Sequence, residues 1–82
     1  MEISDIPFSS FHEGKKHNSE VNRRVFSVER HITRTGVFPR AGCPAYADYL
    51  ALREIFRQNG RYAVTESLYE RWVEIQHAEK RI

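Results

Sequence analysis

Four histidines, one cysteine and a run of arginines are the residues whose types could do chemistry, and their spacing decides which chemistry is open. His12, His17, His31 and His77 form no i, i+4 pair and none of the short spacings with which side chains surround a metal ion. Each reads as a surface or capping histidine, and no metal is expected. Cys43 has no base beside it in sequence, although a fold could bring His31 to it, and it reads as a connector thiol without a catalytic duty. Gly36 and Gly42 flank a proline-containing turn that lacks the lysine of a phosphate-binding loop. The pattern therefore predicts neither an enzyme nor a cofactor. Arg23, Arg30 and Arg34 are the exception, because at about 100° per residue they fall within one narrow arc of a helix. With Lys15, Lys16 and Arg40 near its ends, such a ridge suits nucleic-acid phosphates. It equally suits the solvated face opposite an apolar stripe.

The elements that carry these residues are legible from periodicity. Asn18-Ser19 followed by Glu20 reads as a helix start, a small polar cap with an acid in the first turn. Val21, Val25, Val28 and Ile32 recur at i, i+4, i+7 and i+11 and define a core-facing stripe directly opposite the arginines. The β-branched content of Val25-Phe26-Ser27-Val28 also fits a strand, but a lone strand would have no mate, so the expectation is a helix. Gly36 ends it, and Val37 to Pro44 forms a stiff connector with two prolines. Pro44 suits the start of a second helix, whose core face holds Ala45, Tyr49, Leu52, Ile55 and Phe56. Asn59-Gly60 should end that helix, with Gly60 at positive φ, and a third helix should begin near Tyr62 and run past Trp72.

The third helix carries more apolar surface than a monomer needs. Val64, Leu68, Trp72, Ile75, Ala78 and Ile82 occupy one arc, and Tyr62, Thr65, Tyr69 and Val73 the next. Glu66, Glu70 and Glu74 are confined to what remains, whereas a surface helix requires a stripe only about 100° wide. Trp72 lies between the arcs. Tyr62, Thr65, Tyr69, Trp72 and Val73 are therefore the candidate partner-binding residues, in a homodimer or with another protein, unless the N-terminal arm covers them with Phe8 and Phe11. A recognition helix bearing Glu66, Glu70, Glu74 and Glu79 would meet phosphate repulsion, so any nucleic-acid contact belongs to Arg23, Arg30 and Arg34 or to the arm.

Length and charge bound the rest. A chain of 82 residues forms one domain and buries a marginal core, for which a partner is a natural aid. Residues 1–17 lack helical period and are punctuated by Pro7, Ser9, Ser10 and Gly14, which predicts an arm. Its Ile3, Ile6, Phe8 and Phe11 either lie in part across the core or are ordered by a partner. Residues 18–82 form the single helical domain. One cysteine allows no internal disulfide, and no apolar run has the length of a membrane span or an export signal, so a cytoplasmic protein away from the membrane is expected. The net charge of +2 is too small to require nucleic acid. The basic excess nevertheless lies before Pro44, while the two later helices are balanced.

Gly60-Arg61-Tyr62, then Thr65, then Leu68-Tyr69, preceded by the helix Tyr46–Gln58, resembles the G-x-Y-x-x-A-x-x-L-W core of the small bacterial ANR regulators, which restrain AraC-type transcription activators. The likeness runs from Tyr46 to Ile75, with Thr65 in place of the small Ala and Tyr69 in place of the Trp. A tetratricopeptide-like helical hairpin shares the same spacing for reasons of helix–helix contact. The resemblance implies a non-enzymatic regulator that acts by protein contact, as a dimer, on a partner such as a transcription factor, in a bacterial or mobile-element setting. The residues together predict an all-α, three-helix domain with a C-terminal antiparallel helical hairpin and a partly ordered N-terminal arm. The competing expectations are a DNA- or RNA-binding regulator using the basic face of the first helix and a phage protein that inhibits a host factor.

Overall fold

A computed structural model describes residues 17–81, so the arm and Ile82 lie outside the described residues. Among the described residues the fold is all-α. Helix α1 spans Asn18–Thr35, α2 spans Pro44–Asn59, a single 3₁₀ turn covers Gly60–Ala63, and α3 spans Glu66–Arg81. None of these helices is long and apolar enough to cross a membrane.

Helix α1 buries the stripe that its periodicity predicts: Val21, Val25 and Val28 are fully enclosed, and Ile32 is partly so. Its start differs from the expected cap. His17 occupies the cap position without a side-chain bond, and Val21 N–H donates to the His17 carbonyl at 2.8 Å. Asn18 is already helical, and its Oδ1 accepts from the N–H of Thr65 at 3.0 Å instead. At the other end Gly36, at φ 76°, sends its N–H to the Ile32 carbonyl, the left-handed closure expected of glycine. The connector then returns over the core, with Pro39 buried and the Phe38 ring edge-on to Tyr49 at 4.9 Å.

Five contacts fix how the helices run. Arg24 of α1 reaches Asp48 of α2 at 2.9 Å, and His31 of α1 meets Cys43 just before α2, so these helices are antiparallel. Phe56 stacks on Trp72 and meets Tyr69 edge-on, while Tyr49, earlier in α2, reaches Glu79, later in α3. That crossing order makes α2 and α3 the predicted antiparallel hairpin. Its two helices meet through large rings: Phe56 is nearly parallel to Trp72 at 5.1 Å, and Tyr49 is tilted to it at 5.6 Å. Leu52, Val64, Leu68 and Ile75 complete the core, each contributing roughly 1.5–3 kcal/mol of transfer free energy when enclosed.

The third helix begins later than its pattern implies. Gly60 turns the chain at φ 63° and ψ −159°, the 3₁₀ turn follows, and Val64 is extended at φ −143° and ψ 176°. Two successive β-branched residues, Val64 and Thr65, favour that extended backbone. Helix α3 then starts after Thr65, whose carbonyl accepts from Tyr69 N–H at 3.0 Å. Val64 is thus a core residue delivered by a turn, and Tyr62 does not stand on α3 at all.

Candidate functional site

The expected second apolar arc is dispersed by this late start. Tyr62 rides on the 3₁₀ turn and is 76% exposed. Thr65 spends its N–H on Asn18. Trp72 is buried at 3% exposure, held between Tyr49 and Phe56. Tyr69 is half-buried, with its ring edge-on to Phe56 at 5.5 Å and the Arg61 guanidinium over it at 5.4 Å. Val73 is half-buried alongside. The five candidates therefore do not form one continuous arc: Trp72 is core, Tyr69 is shared between core and surface and lines one open depression with Val73, and Tyr62 stands apart on the turn.

What the hairpin does present is an open groove of about 630 Å³ between α2 and α3. Tyr69, Trp72 and Phe56 form its floor, and Leu50, Arg53 and Arg57 its α2 wall. Large rings fill the space where the two helices meet beneath it. Leu50 is 41% exposed there and was not legible as a site residue. Its signal was an apolar side chain out of phase with the α2 core face, set among Arg53, Glu54 and Arg57. Arg53 also lies over the Tyr49 ring, 5.9 Å from its centre.

A second surface lies along α1. Arg23, Arg30 and Arg34 are all exposed on the side away from the buried valines, as their spacing predicts. They line an open depression of about 490 Å³ between α1 and the start of α2. Phe26 stands in it at 55% exposure, three residues after Arg23 and four before Arg30. This aromatic, out of phase with the core stripe, is the site residue that periodicity flagged least.

Within the same depression Cys43 Sγ lies 3.6 Å from His31 Nδ1, the approach that the sequence left open. Cys43 precedes the first turn of α2, where its carbonyl accepts from Tyr46 N–H at 2.9 Å. Among the described residues, no three of His, Cys, Asp and Glu converge where they could hold a metal ion.

Electrostatics separate the two surfaces from the joints between helices. Arg71 clamps α3 to α1 by donating from Nε and Nη2 to the two Glu29 oxygens, at 3.1 and 2.7 Å, and from Nη1 to Asn22 at 2.9 Å. The Glu29 bonds raise the Arg71 guanidinium pKa above its ordinary value. Burial and the hydrogen bond to Glu79 push the Tyr49 phenol up to about 12. Compared with protein families, curated proteins and solved structures, the chain matches none.

Proposed function

We propose that this chain is a small non-enzymatic regulator that works by protein contact, docking a partner in the groove between α2 and α3. The observation that carries the reading is the exposed Leu50 lining one open channel with Tyr69 and the buried rings of Phe56 and Trp72. A channel between two helices suits the apolar face of a third, inserted as an amphipathic helix, with Arg53 and Arg57 as a polar rim. Tyr69 and the arginines Arg53 and Arg57 that line the channel are of the residue types from which interface anchors are most often drawn. The ANR resemblance covers the same two helices and adds a transcription factor as the class of partner and a dimer as the working form. A second copy of the chain is the simplest occupant.

Sedimentation of the wild type and of Leu50→Glu tests the reading, together with capture of protein from nuclease-treated bacterial lysate. The expected result is a wild-type dimer, or a nuclease-resistant partner, that Leu50→Glu loses while its helicity is retained. A monomeric wild type whose capture is unaffected by Leu50→Glu overturns it.

A further inference from the structure

The ridge on α1 goes beyond this reading, because its chemistry is not that of a protein-docking groove. Four arginines of the described residues each have a carboxylate: Arg24 holds Glu20 and Asp48, Arg57 holds Glu54, Arg61 holds Glu66, and Arg71 holds Glu29. Arg23, Arg30 and Arg34 have none within 4.0 Å among the described residues. The one acid lining their depression, Asp48, is already engaged by Arg24. Three positive charges are thus left on one helix face over about 16 Å, the length of eleven residues at 1.5 Å each. In their midst stands Phe26, over half exposed, at i+3 from Arg23 and i−4 from Arg30. Residues three and four apart are neighbours on a helix surface, so Arg23 and Arg30 bracket Phe26 along the helix in the same depression.

From this arrangement we propose that α1 binds a single strand of nucleic acid, its phosphates on Arg23, Arg30 and Arg34 and an unpaired base stacked on Phe26. A basic track interleaved with an exposed aromatic is how single strands are held without sequence reading, because every base offers a face to stack. A duplex would use the arginines alone, since its bases are already stacked on each other. A carboxylate-bearing protein would likewise leave the aromatic without a specific task.

Fluorescence anisotropy with labelled twelve-nucleotide oligo(dT), oligo(U) and a twelve-base-pair duplex tests this on the full chain. Three phosphate contacts to a single strand give a log–log salt slope of about −2, so affinity should fall about twentyfold between 50 and 200 mM salt. Arg23→Gln/Arg30→Gln/Arg34→Gln should abolish that binding and its salt dependence. Phe26→Ala, at an exposed position that leaves the valine core untouched, should weaken single-strand binding by about fivefold to a hundredfold and duplex binding not at all. Circular dichroism checks that both variants keep their helices. Absence of single-strand binding at 50 mM salt, or a Phe26→Ala variant that binds single strands as the wild type does, overturns the proposal. The protein-docking reading is unaffected by either result, since Leu50 lies on a different face.

Discussion

The side chain of Asn18, the first residue of α1, accepts a hydrogen bond from the backbone N–H of Thr65, the last residue before α3, at 3.0 Å across 47 positions of sequence. It joins the starts of two parallel helices. The Thr65 N–H is part-buried and lies outside any helical ladder, so removing its acceptor leaves an orphaned donor. Asn18→Ala is expected to cost about 1–2 kcal/mol. In a domain of this size that lowers Tm by about 4–8 °C per kcal/mol. Asn18→Asp keeps an acceptor in place and should melt close to the wild type; if both variants melt together, the bond does not contribute.

Arg71 makes the second tie between the same helices. Its bidentate contact with Glu29 joins side chains 39% and 34% exposed, so solvent screens much of the Coulomb energy. A double-mutant cycle of Arg71→Met and Glu29→Gln should return a coupling of about 1 kcal/mol at low ionic strength, declining as salt is added. A coupling near zero at 20 mM salt would leave the α1–α3 joint to its apolar contacts alone.

Two glycines at helix ends test backbone strain without steric interference, because a Cβ at Gly36 or Gly60 would meet nothing within 4 Å. Gly36, at φ 76° and ψ 6°, is left-handed helical, a conformation asparagine tolerates. Gly60, at φ 63° and ψ −159°, lies where essentially only glycine goes. Gly36→Asn should therefore be nearly neutral, whereas Gly60→Asn should cost about 1–3 kcal/mol. Equal urea midpoints for the two variants would refute the distinction.

The outline of the fold was legible because α1 and α2 follow the simplest rules: valines at helical spacing, Pro44 at a helix start, glycines at helix ends. The start of α3 was not. Val64 falls on the Leu68–Trp72–Ile75 stripe by spacing, so counting residues cannot separate the first turn of a helix from an extended residue that buries the same side chain. Only Val64-Thr65, paired β-branched residues behind a glycine turn, hinted at the extended backbone. That one misplaced turn moved Tyr62 off the helix and dispersed the predicted arc. The arginine ridge was legible in full, since it needs only the register of α1. Leu50 and Phe26 were missed for a common reason: each is a lone apolar side chain on a polar face, and periodicity discards such residues as noise.

Tyr49 gives the fold a pH dependence with a defined sign. Its ring is enclosed by Phe38, Tyr46 and Trp72, and its hydroxyl donates to Glu79 Oε1 at 2.6 Å. Burial, then the Glu79 bond and its negative charge, hold the phenol protonated up to about 12, against an ordinary value of 10.0. Between those two pH values the folded chain keeps a proton that the unfolded chain releases, so stability falls as pH rises. The contribution is complete below about pH 10 and is lost progressively as pH climbs to about 12. Urea unfolding at pH 8, 10, 11 and 12 should show that decline in the wild type. In Tyr49→Phe it should be flattened, because the ring remains and the ionisation is gone. Glu79→Gln should begin the decline at the same pH but end it earlier, since a neutral acceptor no longer opposes the phenolate. Parallel pH curves for wild type and Tyr49→Phe would place the alkaline sensitivity on other groups and remove Tyr49 from the account.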